Sequence, residues 1–172
     1  AYSKPYASKL GIDAGLMALY LTAIAKKESN FTTNAKNKNS SARGIMQILN
    51  CTQRAIEKRL KVPFQPMNGI CKTLRGGINV PLVIDKLTND PNYSIMLAAN
   101  ELVYQFKRYG DWGKAIHAYN QGSYNGKSDG EKYKNNVLAL ANNFQNLKPD
   151  NNLASVMILN DGTSFYCYGV FI

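Results

Sequence analysis

Between Asp13 and Glu28 the apolar residues return every four positions, as Leu16, Tyr20 and Ile24 with Leu19 and Ala23 beside them, and the row ends on a carboxylate, Glu28. Four-residue recurrence marks a helix with one face turned to a core. The spacing therefore predicts a helix over 13–28, capped by Asp13. A helix with one apolar stripe needs other elements to cover it. Similar patterning recurs in a short helix at 52–60. It recurs at 94–108, where Ile95, Ala98, Ala99, Leu102 and Phe106 form the apolar face and Ser94 is the expected cap. Asp111 is read as the cap of a helix starting at Trp112, and 131–145 carries Tyr133, Val137, Leu140 and Phe144 on one side.

Between these helices, residues 30–44 are polar and turn-rich, and 61–80 hold Pro63, Pro66, Gly69, Gly76 and Gly77. Glycine and asparagine break the chain again at 120–130. The end of the chain differs: 154–159 and 163–168 flank Asn160-Asp161-Gly162, the pattern of a β-hairpin. The fold class is thus mainly α with a small C-terminal β-hairpin. A helical body is expected over 1–147, and a connector with the hairpin over 148–172. A lone hairpin is marginal in water, and this one carries Phe165, Tyr166, Tyr168, Val170, Phe171 and Ile172. It either packs back on the body or offers a surface to a protein partner.

The 172 residues suit one domain. A bilayer span needs about 20 consecutive apolar residues. The longest such stretch, 14–25, is interrupted by Gly15, Tyr20 and Thr22 and stopped by Lys26 and Lys27, so no membrane-spanning helix is expected. Lys+Arg number 21 against 11 Asp+Glu, a net charge of +10. Such a surface favours polyanions or simply aids solubility. The basic residues are scattered rather than gathered in a tail, which disfavours nucleic acid as the partner. Cys51, Cys71 and Cys167 show no CxxC spacing and there is one histidine, His117, so no metal site is expected. Cys51 and Cys71 could form a bridge, and three free thiols are the alternative. The first residues hold no apolar signal-peptide core. Asn-x-Ser/Thr sequons at Asn30, Asn39, Asn50 and Asn92 crowd the region of interest, which disfavours a glycosylated secreted protein.

Glu28 is the most informative residue. It continues an apolar row, where a carboxylate is rare. It is paired with a cation, sits at a cleft edge with its proton held by desolvation, or frays into solvent at the helix end. The cleft reading suits a general acid for glycosidic cleavage. Glycosidases ordinarily use two carboxylates. No Asp or Glu lies between Ser29 and Ile56, and nothing later nominates a partner for Glu28. Gly44-Ile45-Met46-Gln47-Ile48 sets one hydrogen-bonding side chain in an apolar segment. Gln47 is either a reader of a sugar group or a buried amide satisfied by backbone. Ala118-Tyr119-Asn120-Gln121-Gly122 reads most simply as a helix end with glycine beyond it.

Glu28-Ser29-Asn30-Phe31, Ala35, Gly44-Ile45-Met46-Gln47 and Ala118-Tyr119-Asn120-Gln121-Gly122, taken together, resemble the motifs of the soluble lytic transglycosylase domain. This is the goose-type lysozyme-like family, glycoside hydrolase family 23. The resemblance covers roughly 6–145 and is greatest to small members attached to secretion, conjugation or phage-entry systems. The chain departs from the family pattern at Asn37, where serine is usual, and in a one-residue longer interval before Gly44. The resemblance implies a lysozyme-like helical domain with Glu28 as the single catalytic acid. It implies that Ser29 supports the local geometry, that Met46 and Gln47 contact glycan, and that Tyr119 and Asn120 border the acid. It implies a cofactor-free lytic transglycosylase that acts on peptidoglycan strands at the bacterial cell envelope or from a phage virion, leaving 1,6-anhydro ends. A hydrolytic muramidase, and a basic wall- or nucleic-acid-binding virion module, are the alternatives.

Overall fold

The computed structural model describes residues 12–65 and 85–146, together with the backbone of two short strands at 156–158 and 164–166. The chain is mainly helical. Helix α1 spans Ala14–Ser29, α2 Asn50–Leu60, α3 Lys86–Asn89, α4 Pro91–Tyr109, α5 Trp112–Gln121 and α6 Ser128–Asn146. Strands β1 (Val156–Ile158) and β2 (Ser164–Tyr166) pair antiparallel, with Met157 opposite Phe165. The turn expected between them, the packing of that hairpin and its expected partner surface lie outside the described residues.

Aspartates start four of the helices. Asp13 accepts the N–H groups of Gly15 and Leu16, Asp85 that of Leu87, Asp90 that of Tyr93 and Asp111 that of Lys114. The cap expected at Ser94 is therefore misplaced. Asp90-Pro91 starts α4 earlier, because proline at the first helical position loses no hydrogen bond there. Ser94 is instead fully buried inside the helix. Gly130, read as part of a chain break, lies within α6.

The helices enclose one core. Helix α1 packs on α6, α4 on α5, α5 on α6, and α2 on α4. The buried residues of α1 are Met17, Leu21, Ala23, Ile24 and Ala25: Ala23 and Ile24 belong to the row read in the sequence, while Met17 and Leu21 take the buried places expected for Leu16 and Tyr20. Leu16 and Tyr20 are half-buried, the latter in an aromatic group with Trp112, which stacks on Phe106 at 4.1 Å. Glu28 still ends the stripe, seven positions after Leu21 on the same face. Leu97 and Leu102 of α4, Ile116 of α5, Val137 of α6 and Ile45 and Met46 of the intervening loop complete the interior. Cys51 is disulfide-bonded, so the alternative of three free thiols does not hold; the expected pairing with Cys71 lies outside the described residues.

Candidate active site

Glu28 occupies the last turn of α1, and the chain leaves the helix abruptly. Asn30 and Phe31 both take left-handed backbone conformations, with φ of 51° and 65°, and Asn30 closes the helix through N–H bonds to the carbonyls of Ala25 and Lys26. This turn sends the chain into the loop 32–49. The loop doubles back through isolated bridges of Lys36 with Arg43 and Arg43 with Ile48. Its return passes Gly44, which has φ +73°, and a Cβ there would stand 2.1 Å from the carbonyl oxygen of Leu87. Only glycine permits that approach.

Ser29 ties the two parts together. Its hydroxyl lies 2.8 Å from the carbonyl oxygen of Ile45 and 3.2 Å from that of Ala25. The segment 44–48 is thereby held beside Glu28. Gln47 takes φ 47°, and its Nε2 donates to the carbonyls of Gly44 (3.0 Å) and Ala35 (3.3 Å). The Met46 side chain is fully buried, and its carbonyl oxygen accepts the Tyr119 hydroxyl at 3.0 Å. Asn120 is exposed, with its Oδ1 accepting from Gln121 at 2.6 Å.

Glu28 is touched by a tyrosine that the sequence pattern places on the apolar side of 131–145. The Tyr133 hydroxyl donates to Oε1 of Glu28 at 2.6 Å. Burial raises the Glu28 carboxyl above its ordinary range, opposed by the Tyr133 hydrogen bond and by the charge of Lys27. Burial, and then the Glu28 charge, push the Tyr119 and Tyr133 phenols well above theirs. Both tyrosines therefore stay neutral, and Glu28 keeps its proton to higher pH than a solvated carboxyl. With Tyr133 donating to Oε1, Oε2 is the oxygen that can carry a proton. Such an arrangement can present an oriented proton donor in a partly dry site.

Residues 5–139 match the family model for the transglycosylase SLT domain. The chain belongs to the transglycosylase SLT domain family. Solved structures share its fold. The 70 kDa soluble lytic transglycosylase of Escherichia coli superposes with a TM-score of 0.59 at 23% identity, covering 81% of this chain and 23% of that one. The 70-kDa soluble lytic transglycosylase in complex with bulgecin A gives 0.59 at 24% identity, covering 86% and 24%. An inactive Glu-to-Gln mutant of lytic transglycosylase Slt from Pseudomonas aeruginosa gives 0.54 at 18%, covering 78% and 22%. The chain thus spans under a quarter of the length of these proteins. No curated protein matches it.

In this SLT domain the other described acids are mostly engaged elsewhere. Beyond the four aspartate caps, Glu57 is fully buried and held by Tyr93, Gln53, Arg54 and the N–H of Gln65. Glu101 pairs with Arg59 at 2.9 Å and accepts from Gln105. Glu131 pairs with His117 and Lys134. Asp129 is exposed in the first turn of α6. Among the described residues no cluster of three His, Cys, Asp or Glu is placed to hold a metal ion. No described helix is long and apolar enough to cross a membrane.

Proposed function

We propose that this SLT domain is a peptidoglycan lytic transglycosylase that cleaves the β-1,4 bond between N-acetylmuramic acid and N-acetylglucosamine. The single observation that carries the reading is the desolvated Glu28 carboxyl with Tyr133 bound to one of its oxygens. In the reaction, Oε2 of Glu28 delivers its proton to the glycosidic oxygen as the C1–O bond breaks, and N-acetylglucosamine leaves with a free 4-hydroxyl. The substrate's own N-acetyl group stabilises the positive charge that develops at C1. Glu28, now a carboxylate, takes the proton of the C6 hydroxyl as O6 bonds to C1, which closes a 1,6-anhydro ring and restores the acid. One carboxyl serves as both acid and base.

Ser29 acts by holding the end of α1 to the loop. Tyr119 borders the acid and anchors the Met46 carbonyl. With the Met46 side chain buried and the Nε2 of Gln47 bound to backbone carbonyls, we assign glycan contact in this segment to Gln47 Oε1 and the exposed edge of the loop, joined by the exposed Asn120. The structural neighbour solved with bulgecin A makes that compound a direct probe of the cleft. The Cys51 disulfide fits an oxidising compartment such as the cell envelope, where the substrate lies. Mass spectrometry of products released from purified peptidoglycan tests the reading. Anhydromuropeptides, lighter than hydrolysis products by one water, are expected; reducing-end muramic acid alone would make the protein a muramidase.

A further inference from the structure

The wall of the site built from residues 26–49 is strongly one-signed. It carries Lys26, Lys27, Lys36, Lys38 and Arg43, and its single acid is Glu28 itself. Arg43 pairs with Asp85 at 3.3 Å, and the Lys26 ammonium donates to Oδ1 of Asn30 at 2.5 Å above the Phe31 ring. Lys27, Lys36 and Lys38 are exposed and form no ion pair with any described residue. Across the site stand Tyr119, Asn120 and Tyr133, none of them charged. Glu101, whose charge reaches Tyr119, is taken up by Arg59 at 2.9 Å. A cleft edged by one sign of charge draws in groups of the other sign.

Two of these lysines sit on a built turn. The carbonyl of Ala35 accepts the N–H of Gly44 at 2.8 Å and Nε2 of Gln47 at 3.3 Å. That joins the turn to the segment which Ser29 holds against the end of α1. From there Lys36 bridges Arg43, and the N–H of Asn37 donates to the carbonyl of Ala42 at 3.0 Å. Oδ1 of Asn37 accepts the N–H of Asn39 at 2.8 Å, and Oγ of Ser40 accepts that of Ala42 at 3.2 Å. An asparagine oxygen that accepts the N–H two residues on closes an Asx turn. Asn37, where serine is usual in the family pattern, thus shapes the turn that presents Lys36 and Lys38. Lys27 adjoins Glu28, and its charge is felt at the carboxyl.

We propose that Lys36 and Lys38, with Lys27 beside the acid, form a cationic rim that binds carboxylates of the peptide carried by the muramoyl residue, so that peptide-bearing glycan is selected over bare glycan. The inference rests on the proposed function of this site. Glu28 acts at C1 of the muramoyl ring, and the lactyl group that carries the peptide is attached at C3 of the same ring, a single ring atom away. The free carboxylates of that peptide therefore extend from the reacting sugar itself. A strand stripped of its peptides loses these charges and keeps every sugar. Charges at the edge of a site act on encounter and on the choice between partners more than on the chemical step. The rim therefore belongs to KM and to discrimination, and Glu28 to kcat.

The test compares soluble glycan strands with their peptides against the same strands after amidase has removed them. Wild type is expected to prefer the peptide-bearing strands in kcat/KM, and the preference should shrink as salt is added. The double variant Lys36→Gln/Lys38→Gln should lose about three- to tenfold of that preference, the effect of two exposed ion pairs. The loss should fall in KM, with kcat and the activity on bare strands unchanged. Lys36→Arg/Lys38→Arg should retain the preference. Lys27 is left in place, because its charge acts on Glu28. Lys107→Gln/Lys114→Gln removes the same charge from exposed positions near the turn between α4 and α5, whereas Tyr119 lies toward the other end of α5. That control should behave as wild type. A wild type without preference, an equal loss on both strands, or an equal loss in the control would overturn the inference. A wild type that cleaves neither strand would overturn the proposed function instead. Binding of the same two strands, measured by calorimetry on wild type and the same variants, would then still decide the role of the rim.

Discussion

The hydroxyl of Tyr133 lies 2.6 Å from Oε1 of Glu28, joining α6 to the last turn of α1 across 105 residues of sequence. A hydrogen bond to an ionised group is worth about 1.5–3 kcal/mol. Tyr133→Phe should therefore lower kcat about 10- to 100-fold. Its direction on pH is also determined. The tyrosine favours the carboxylate, so its loss raises the carboxyl further, and the limb on which activity falls with rising pH should move to higher pH. A kcat–pH profile that moves to lower pH would contradict this.

Glu28→Gln keeps the size of the side chain and removes the proton. Loss of a general acid costs about 10²- to 10⁴-fold in rate, while circular dichroism should show an intact fold. The variant should also alter stability with a definite sign. The Glu28 carboxyl is raised in the folded state, chiefly by burial. Its contribution is therefore fully present below the unfolded value and is lost as pH rises through the folded one. Melting temperatures of wild type and variant should run parallel in acid, and the variant should gain as pH rises. A difference independent of pH would mean that Glu28 is not desolvated.

Gly44 and Gly122 both have positive φ, +73° and +77°, but their surroundings differ. At Gly122 nothing lies within 4 Å of an added Cβ, whereas at Gly44 the Leu87 carbonyl oxygen is 2.1 Å away. Gly122→Ala should cost about 1–2 kcal/mol, the left-handed penalty alone. Gly44→Ala should cost clearly more and should lower activity as well, because it displaces the segment that Ser29 holds. Urea denaturation of the two variants checks the order.

The +10 charge should show itself in wall binding. Screening acts within about 8 Å at physiological ionic strength, so pelleting with purified sacculi should weaken steadily as salt is added. Binding indifferent to salt would assign recognition to the cleft rather than to the surface field.

Much of the helical body is legible in the residues. Asp13 and Asp111 announce the caps that the structure contains, and Glu28 stands out because a carboxylate ends an apolar row. What escaped has a common cause, which is that its meaning depends on distant partners. Tyr133 reads as one more apolar contact on a helix face, since nothing near it in sequence reveals the carboxyl it meets. Gly130 reads as a break, because only the His117 ring gives it a packing role. Ser94 looks like a cap until Asp90-Pro91 starts the helix earlier and carries it inside. Met46 looks like a cleft residue by motif, whereas the structure turns its side chain to the core and leaves its carbonyl to Tyr119.

The position of Glu28 in the final turn of α1 has an electrical meaning of its own. Peptide dipoles aligned along a helix leave about half a negative charge at its C-terminal end. A carboxyl there is discouraged from ionising before any neighbour is considered, and Lys26 and Lys27 in the same turn temper the effect. Moved to the opposite end of the same helix, beside Asp13, an identical side chain would meet unpaired N–H groups and release its proton readily. The chain has placed an aspartate cap at the positive pole, and the proposed acid at the negative one.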